Sequence, residues 1–298
     1  MTTTSHTDAP VRPRPLSALL NRMPRLRLAG LLILPTGWLA LIYVLALILL
    51  LVTSLWTVDT FTGAISQEWT FDNIKAVLTE SIYQKVALRT VFVALAVTVI
   101  DVILALPIAF FIAKVAPQRW QKLLVAAVLM PLWASYLVKV YAWRNILADG
   151  GLFSWLAKPL GIDSPGYSLT AVVITLSYVW LPYMILPIHA GFERIPSSLL
   201  EASGDLGAKP GSTIRWVILP LLKPAIIAGT IFTFSLSLGD YITVQIVGGT
   251  TQMLGNVVYA NVGGANNLPL AAAVSLVPIV IVFAYLLLVR RTGALKNV

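Results

Sequence analysis

The sequence predicts an all-α membrane protein with six transmembrane helices and both termini on the cytoplasmic side. Three observations carry that expectation: a composition too apolar for a water-facing surface, six apolar runs of spanning length, and a lopsided placement of basic residues. Of 298 residues, 58% are hydrophobic and 11% charged, where a soluble domain carries about 25% charged residues. The mean hydropathy is +0.86. A chain of this length cannot hide so much apolar surface in one soluble core. Disorder is excluded too, because it needs low hydrophobicity and high charge.

In chain order, the first 27 residues, rich in Thr, Pro and Arg, read as a disordered cytoplasmic tail. A spanning helix needs about 20 apolar residues. Span one, about 28–55, lies in the uncharged run from Leu28 to Val58, with Pro35 tolerable in its first turn. That run is too long and too weakly bounded for a cleaved signal peptide. Span two, about 90–113, is interrupted only by Asp101, and span three, about 123–143, carries Lys139 near its end. Span four is placed at about 169–190. From Pro224 to Val289 the only charge is Asp240, and glycines between Gly248 and Gly264, with Asn266, Asn267 and Pro269, divide the stretch. The division gives spans five and six, about 224–247 and 270–289. Residues 28–291 thus form one transmembrane domain with a loop at 191–223, and 292–298 a short tail.

Orientation follows from Lys and Arg, which are retained on the cytoplasmic side of a membrane. With the N-terminus inside, fifteen of the twenty-one basic residues fall on that side and six on the other. The net charge of +9 is therefore mostly topology, not a nucleic-acid surface. There is no cysteine, which removes disulfides and thiolate metal sites from consideration.

The segment from Gly191 to Lys223 is the longest expected cytoplasmic loop, and it carries its own helix signals. Ser198-Leu199-Leu200-Glu201 fits a capping box. Leu199, Ser203 and Leu206 would line one face, and Gly207 is placed to end the helix in the left-handed conformation. Pro210 can open a second short helix, Gly211 to Ile218. On periodicity alone, an amphipathic helix resting on the lipid interface fits equally well.

The order Glu201-Ala202-Ser203, three residues, Gly207, nine residues, Val217-Ile218-Leu219-Pro220 resembles the EAA signature of bacterial ABC-importer permeases. Ser203 stands where the signature has Ala, and Val217 where it has Ile. Met130 to Tyr136, Tyr141-Ala142-Trp143 and Ser237 to Ile242 are similar to spermidine/putrescine permeases of the B type. The resemblance covers about Leu28 to Val289 and implies the type I ABC importer permease fold. It also implies that Glu201, Ala202, Ser203, Gly207, Leu219 and Pro220 form the contact to an ATPase, with Glu201 either capping the helix or meeting a basic group there. The implied partners are a second permease subunit, an ABC ATPase dimer that holds ATP and Mg, and a periplasmic or extracellular substrate-binding protein. The chain itself needs no cofactor, and its expected place is the bacterial inner membrane.

A charge deep in a bilayer costs about 2.5 kcal/mol or more, so Asp101 and Asp240 are functional candidates. A polycationic amine needs carboxylates and aromatic faces, and Trp133, Tyr136, Tyr141, Trp143 and Tyr241 could supply the faces. The alternatives are a helix-pairing role for Asp101 and an ordinary interfacial belt for the aromatics. Catalysis has no candidates: His6 and His189 form no His-Glu-x-x-His pair, and no Gly-x-Ser-x-Gly or phosphate-binding loop occurs. No metal site is expected. The substrate reading is an amine importer, with a different substrate such as an opine, or a secondary transporter without an ATPase, as alternatives.

Overall fold

The computed structural model describes residues 24–59 and 62–291. The expected tails therefore lie outside the described residues up to 23 and from 292, while residues 24–27 open a helix. The chain divides into two compact units after Val52. The first holds most of helix α1, Pro24–Ser54, in which Pro35 lies well inside the helix instead of in its first turn.

The second unit begins with a ribbon, Thr57–Val58 paired antiparallel with Ile65–Ser66. The Asn73 amide donates to the carbonyls of Ser54 (3.2 Å) and Trp56 (2.8 Å), which ties helix α2, Asp72–Thr79, to that turn. Helix α3, Ser81–Phe110, runs on through a π-helical turn, Phe111–Val115. Then come α4, Gln118–Trp133, and α5, Tyr136–Leu147. A short α6, Leu152–Ala157, leads to α7, Leu169–Glu193. The Ser168 hydroxyl caps α7 by accepting from the amide of Ala171 at 3.3 Å. After α8, Ser197–Asp205, and α9, Pro210–Thr213, a second π-helical turn, Ile214–Ile218, enters α10, Leu219–Leu238. Helices α11, Ile242–Val247, α12, Leu254–Gly263, and α13, Leu268–Arg291, complete the order.

Five of these helices are long and apolar enough to cross a membrane, and the bent α4–α5 pair makes six. The bend of 93° corrects the continuous span expected over 123–143. Ala134 and Ser135 adopt extended backbone, and Pro131 has already removed one helical hydrogen bond. Span five also differs from the expected 224–247: helix α10 stops at Leu238, and the chain turns through Gly239 to Tyr241 before α11. Nor is Gly211–Ile218 a separate helix. Pro210, fixed at a helical φ, starts a helix that continues to Leu238.

The core is the packing of α3, α7 and α10 against one another. Close approach is made by small residues: a Cβ on Gly229 would lie 2.5 Å from the Met184 sulfur, and one on Gly191 would lie 2.7 Å from the Ala225 Cβ. Near the loop end, Ala105, Ala109, Met184, Ile188 and Leu222 are buried together. Toward the other end Val93, Val97, Val140, Val172, Leu176 and Val244 form a second cluster. Large apolar side chains such as Phe92, Ile103, Val280 and Phe283 point outward, which suits a hydrocarbon surrounding and would be costly in water.

Candidate functional site

All but two of the predicted site residues fall into two places, one at each end of α10. At its beginning, α8 and α9 form a helix–turn–helix. Gly207 has φ +73°, the left-handed conformation that an L side chain resists. The turn is a Schellman closure: Ala208 donates to the Ser203 carbonyl at 3.0 Å and Gly207 to that of Gly204 at 2.8 Å. The expected capping box is absent. Helix α8 starts at Ser197 with Pro196 before it, and no side chain caps it, so Ser198 already lies inside the first turn. The Leu199 amide donates to the Pro196 carbonyl at 3.2 Å, and Glu201 stays exposed.

The buried face of α8 also differs from the expected one. Ser203 is buried and Leu200 half-buried, whereas Leu199 is exposed and Leu206 is 88% exposed. Ser203 turns inward because its hydroxyl meets that of Thr213 at 2.6 Å, so the departure from Ala at this position is matched by a partner on the adjoining helix. Lys114, at the end of the first π-helical turn, donates to the Ile195 carbonyl at 2.6 Å. Buried Ile195 and Ile218 root the loop in the core cluster. Leu219 is half-buried at the start of α10, and Ala202 and Pro220 are exposed. The result is a compact projection joined to α7 on one side and continuous with α10 on the other.

At the far end of α10, Tyr136, Asp240 and Tyr241 line one cavity of about 370 Å³ with Trp180. Asp240 is only 7% exposed. Its carboxylate accepts from the Thr243 amide at 2.8 Å and the Thr243 hydroxyl at 3.3 Å, and Tyr136 donates its hydroxyl to the same group. Asp240 thereby caps the first turn of α11 and anchors α5. Trp180 stacks on Tyr136 with centroids 5.9 Å apart, and Tyr241 stacks on Tyr259 at 5.2 Å.

The other two candidates stand elsewhere. Trp133 is 88% exposed at the end of α4 and is not among the residues lining this cavity. Asp101 is fully buried on α3, and neither carboxyl oxygen has a hydrogen-bond partner among the described residues. Sequence reasoning passed over Trp180, Thr243 and Lys114. Trp180 alone left a signal, because a tryptophan at mid-span cannot belong to an interfacial belt. Among the described residues, no group of three or more His, Cys, Asp or Glu could hold a metal ion.

Comparison with known proteins agrees with this architecture. The model of the family described as binding-protein-dependent transport system inner membrane component matches residues 81–293. The chain is 42% identical over 286 residues to the inner membrane ABC transporter permease protein YdcU of Escherichia coli, covering 91% of each chain. It is 31% identical over 266 residues to the spermidine/putrescine transport system permease protein PotB of the same organism, covering 88% of this chain and 96% of that one. In fold it is similar to a chain of the bacterial alginate ABC transporter, solved in complex with an alginate pentasaccharide-bound periplasmic protein. That match has a TM-score of 0.68 at 15% identity and covers 92% of this chain and 96% of that one. The six-span count, the helix order and these matches agree: the chain belongs to the binding-protein-dependent inner membrane components, the permeases of ABC importers, and has their all-α type I fold.

Proposed function

We propose that this permease imports polyamines or related cationic amines and is driven through its 198–220 loop by a separate ATPase that holds ATP and Mg. In this reading a second permease subunit completes the pore, and a substrate-binding protein delivers the amine from outside. Both termini and the loop face the cytoplasm. One observation carries the coupling: the two-helix projection is helically continuous with α10 through a π-helical turn, so a displacement of the loop is passed to a spanning helix. Two-state rocking of packed helices turns such a displacement into alternating access. Leu206, 88% exposed beside the Gly207 turn, gives the projection an apolar tip for a cleft on the ATPase.

The substrate class is supported by the likeness to PotB and by the tyrosines and tryptophan around Asp240, whose ring faces attract ammonium groups. In the test, the chain is expressed with its partner subunits, and uptake of radiolabelled putrescine and spermidine is followed. Gly207→Val is expected to abolish uptake and stimulated ATP hydrolysis while leaving the protein inserted, because a β-branched residue resists φ +73°. Normal uptake in that variant would sink the coupling assignment. Uptake of neither amine by the wild-type complex would sink the substrate assignment.

A further inference from the structure

The cavity at Asp240 does not end there. It shares Tyr241 and Ile242 with a second cavity of about 480 Å³, which also exposes Tyr141, Arg144, Gln245 and Tyr259. That one shares Gln245 and Tyr259 with a third, of about 460 Å³, reaching Gln252 and Asn256. Together they make a groove from the middle of α7 to the start of α12, at the end of α10 away from the loop. Its walls are phenols, amides and aliphatic carbons, with the Trp180 indole and the Asp240 carboxylate at one end. Arg144 is the one charged side chain lining the second and third cavities.

Arg144 is held in an unusual way. Its guanidinium stands 5.8 Å from the ring centroid of Tyr141 and 5.5 Å from that of Tyr167. Its Nε donates to the Tyr167 hydroxyl at 3.0 Å. It has no carboxylate partner: the one ion pair among the described residues joins His189 to Glu193. One ring of this groove, that of Tyr141, is therefore already engaged with a cation, and the cation is the protein's own. Tyr167, which also holds it, stands outside the lining of the three cavities. Such contacts at accessible sites are worth about 0.5–1 kcal/mol each, which is weak enough for a competitor to displace. Asp240, with its carboxylate occupied by Tyr136 and Thr243, is poorly placed to compete for an incoming ammonium.

We propose that Arg144 is a resident cation at the exposed side of this groove, displaced from the Tyr141 face by the incoming amine, and that it sets how many positive charges the path accepts. The proposal rests on the amine-importer reading and refines it. An ammonium entering the groove meets the Tyr141 face and the stacked Tyr241–Tyr259 pair, and the Gln245 carbonyl can accept one of its protons. Arg144 must swing aside, and its charge opposes each further charge on the ligand, so a trication suffers more than a dication.

The test uses the complete importer with its binding protein loaded and saturating, and compares uptake of putrescine with that of spermidine. Arg144→Gln is expected to raise spermidine uptake by about two- to five-fold, the loss of one cation–π competitor, and putrescine uptake by less. Arg144→Lys keeps a cation and should preserve the wild-type ratio, while Tyr259→Leu should lower both rates. An unchanged ratio in Arg144→Gln, or an equal fall in both rates, overturns the proposal. Should that variant fail to reach the membrane, unchanged rates in Tyr259→Leu overturn it instead. Wild-type uptake of neither amine overturns the importer reading on which it stands.

Discussion

Tyr136 and Asp240 lie 104 residues apart and share one hydrogen bond, with Thr243 closing the triangle to Tyr136 at 2.6 Å. Whereas Asp101 has no such partners among the described residues, the donors around the buried Asp240 carboxylate offset the cost of removing it from water. That changes what neutralising it should do. Asn at 240 keeps an acceptor for the Thr243 amide but presents an NH2 where Tyr136 now donates. Asp240→Asn and Tyr136→Phe are each expected to lower the stability of the solubilised complex by about 1–3 kcal/mol. Because both remove the same contact, the double variant should cost little more than either one. Thermal melting of the three variants checks this, and additive losses would show that the pair is not coupled. Elsewhere at this scale, Ser203 and Thr213 show how a substituted motif position stays buried: the hydroxyl that Ser carries in place of a hydrogen of the Ala methyl finds a hydroxyl opposite.

The spanning elements are shaped by prolines and small residues more than by their apolar runs. Pro131 precedes the bend between α4 and α5, and two π-helical turns border the projection, one leaving α3 and bonded to it through Lys114 and Ile195, the other between α9 and α10. A widened turn loosens the regular hydrogen-bond ladder and is frequent at functional positions. Packing between α7 and α10 depends on Gly229, where Met184 leaves no room for a side chain. Gly229→Val is therefore expected to destabilise the protein by about 1–3 kcal/mol through overpacking. Gly204→Ala, with open space around it and an ordinary helical position, should be near neutral. Equal melting temperatures for the two would contradict the close α7–α10 contact.

Across the whole molecule, the basic residues forecast which face is cytoplasmic, and the absence of cysteine makes that forecast easy to check. A single cysteine at Lys209→Cys should react with a membrane-impermeant maleimide only after the cytoplasmic side is opened. One at Lys158→Cys should react in intact cells, and the opposite pattern would invert the topology. The all-α membrane class, the number of spans and the position of the projecting loop were all legible in the amino-acid order. The reason is that transfer into lipid is decided segment by segment, each helix satisfying its own backbone. Gly207 was equally legible, since a left-handed turn is a local demand. Neither the broken third span nor the early end of α10 could be read from hydropathy, which stays high through both breaks. The Tyr136–Asp240–Thr243 network, the stacking of Trp180 and the tyrosine seat of Arg144 were decided only by the tertiary structure. Apolar helices of uniform hydropathy do not record their own rotation or depth, and those two quantities determine which distant side chains meet.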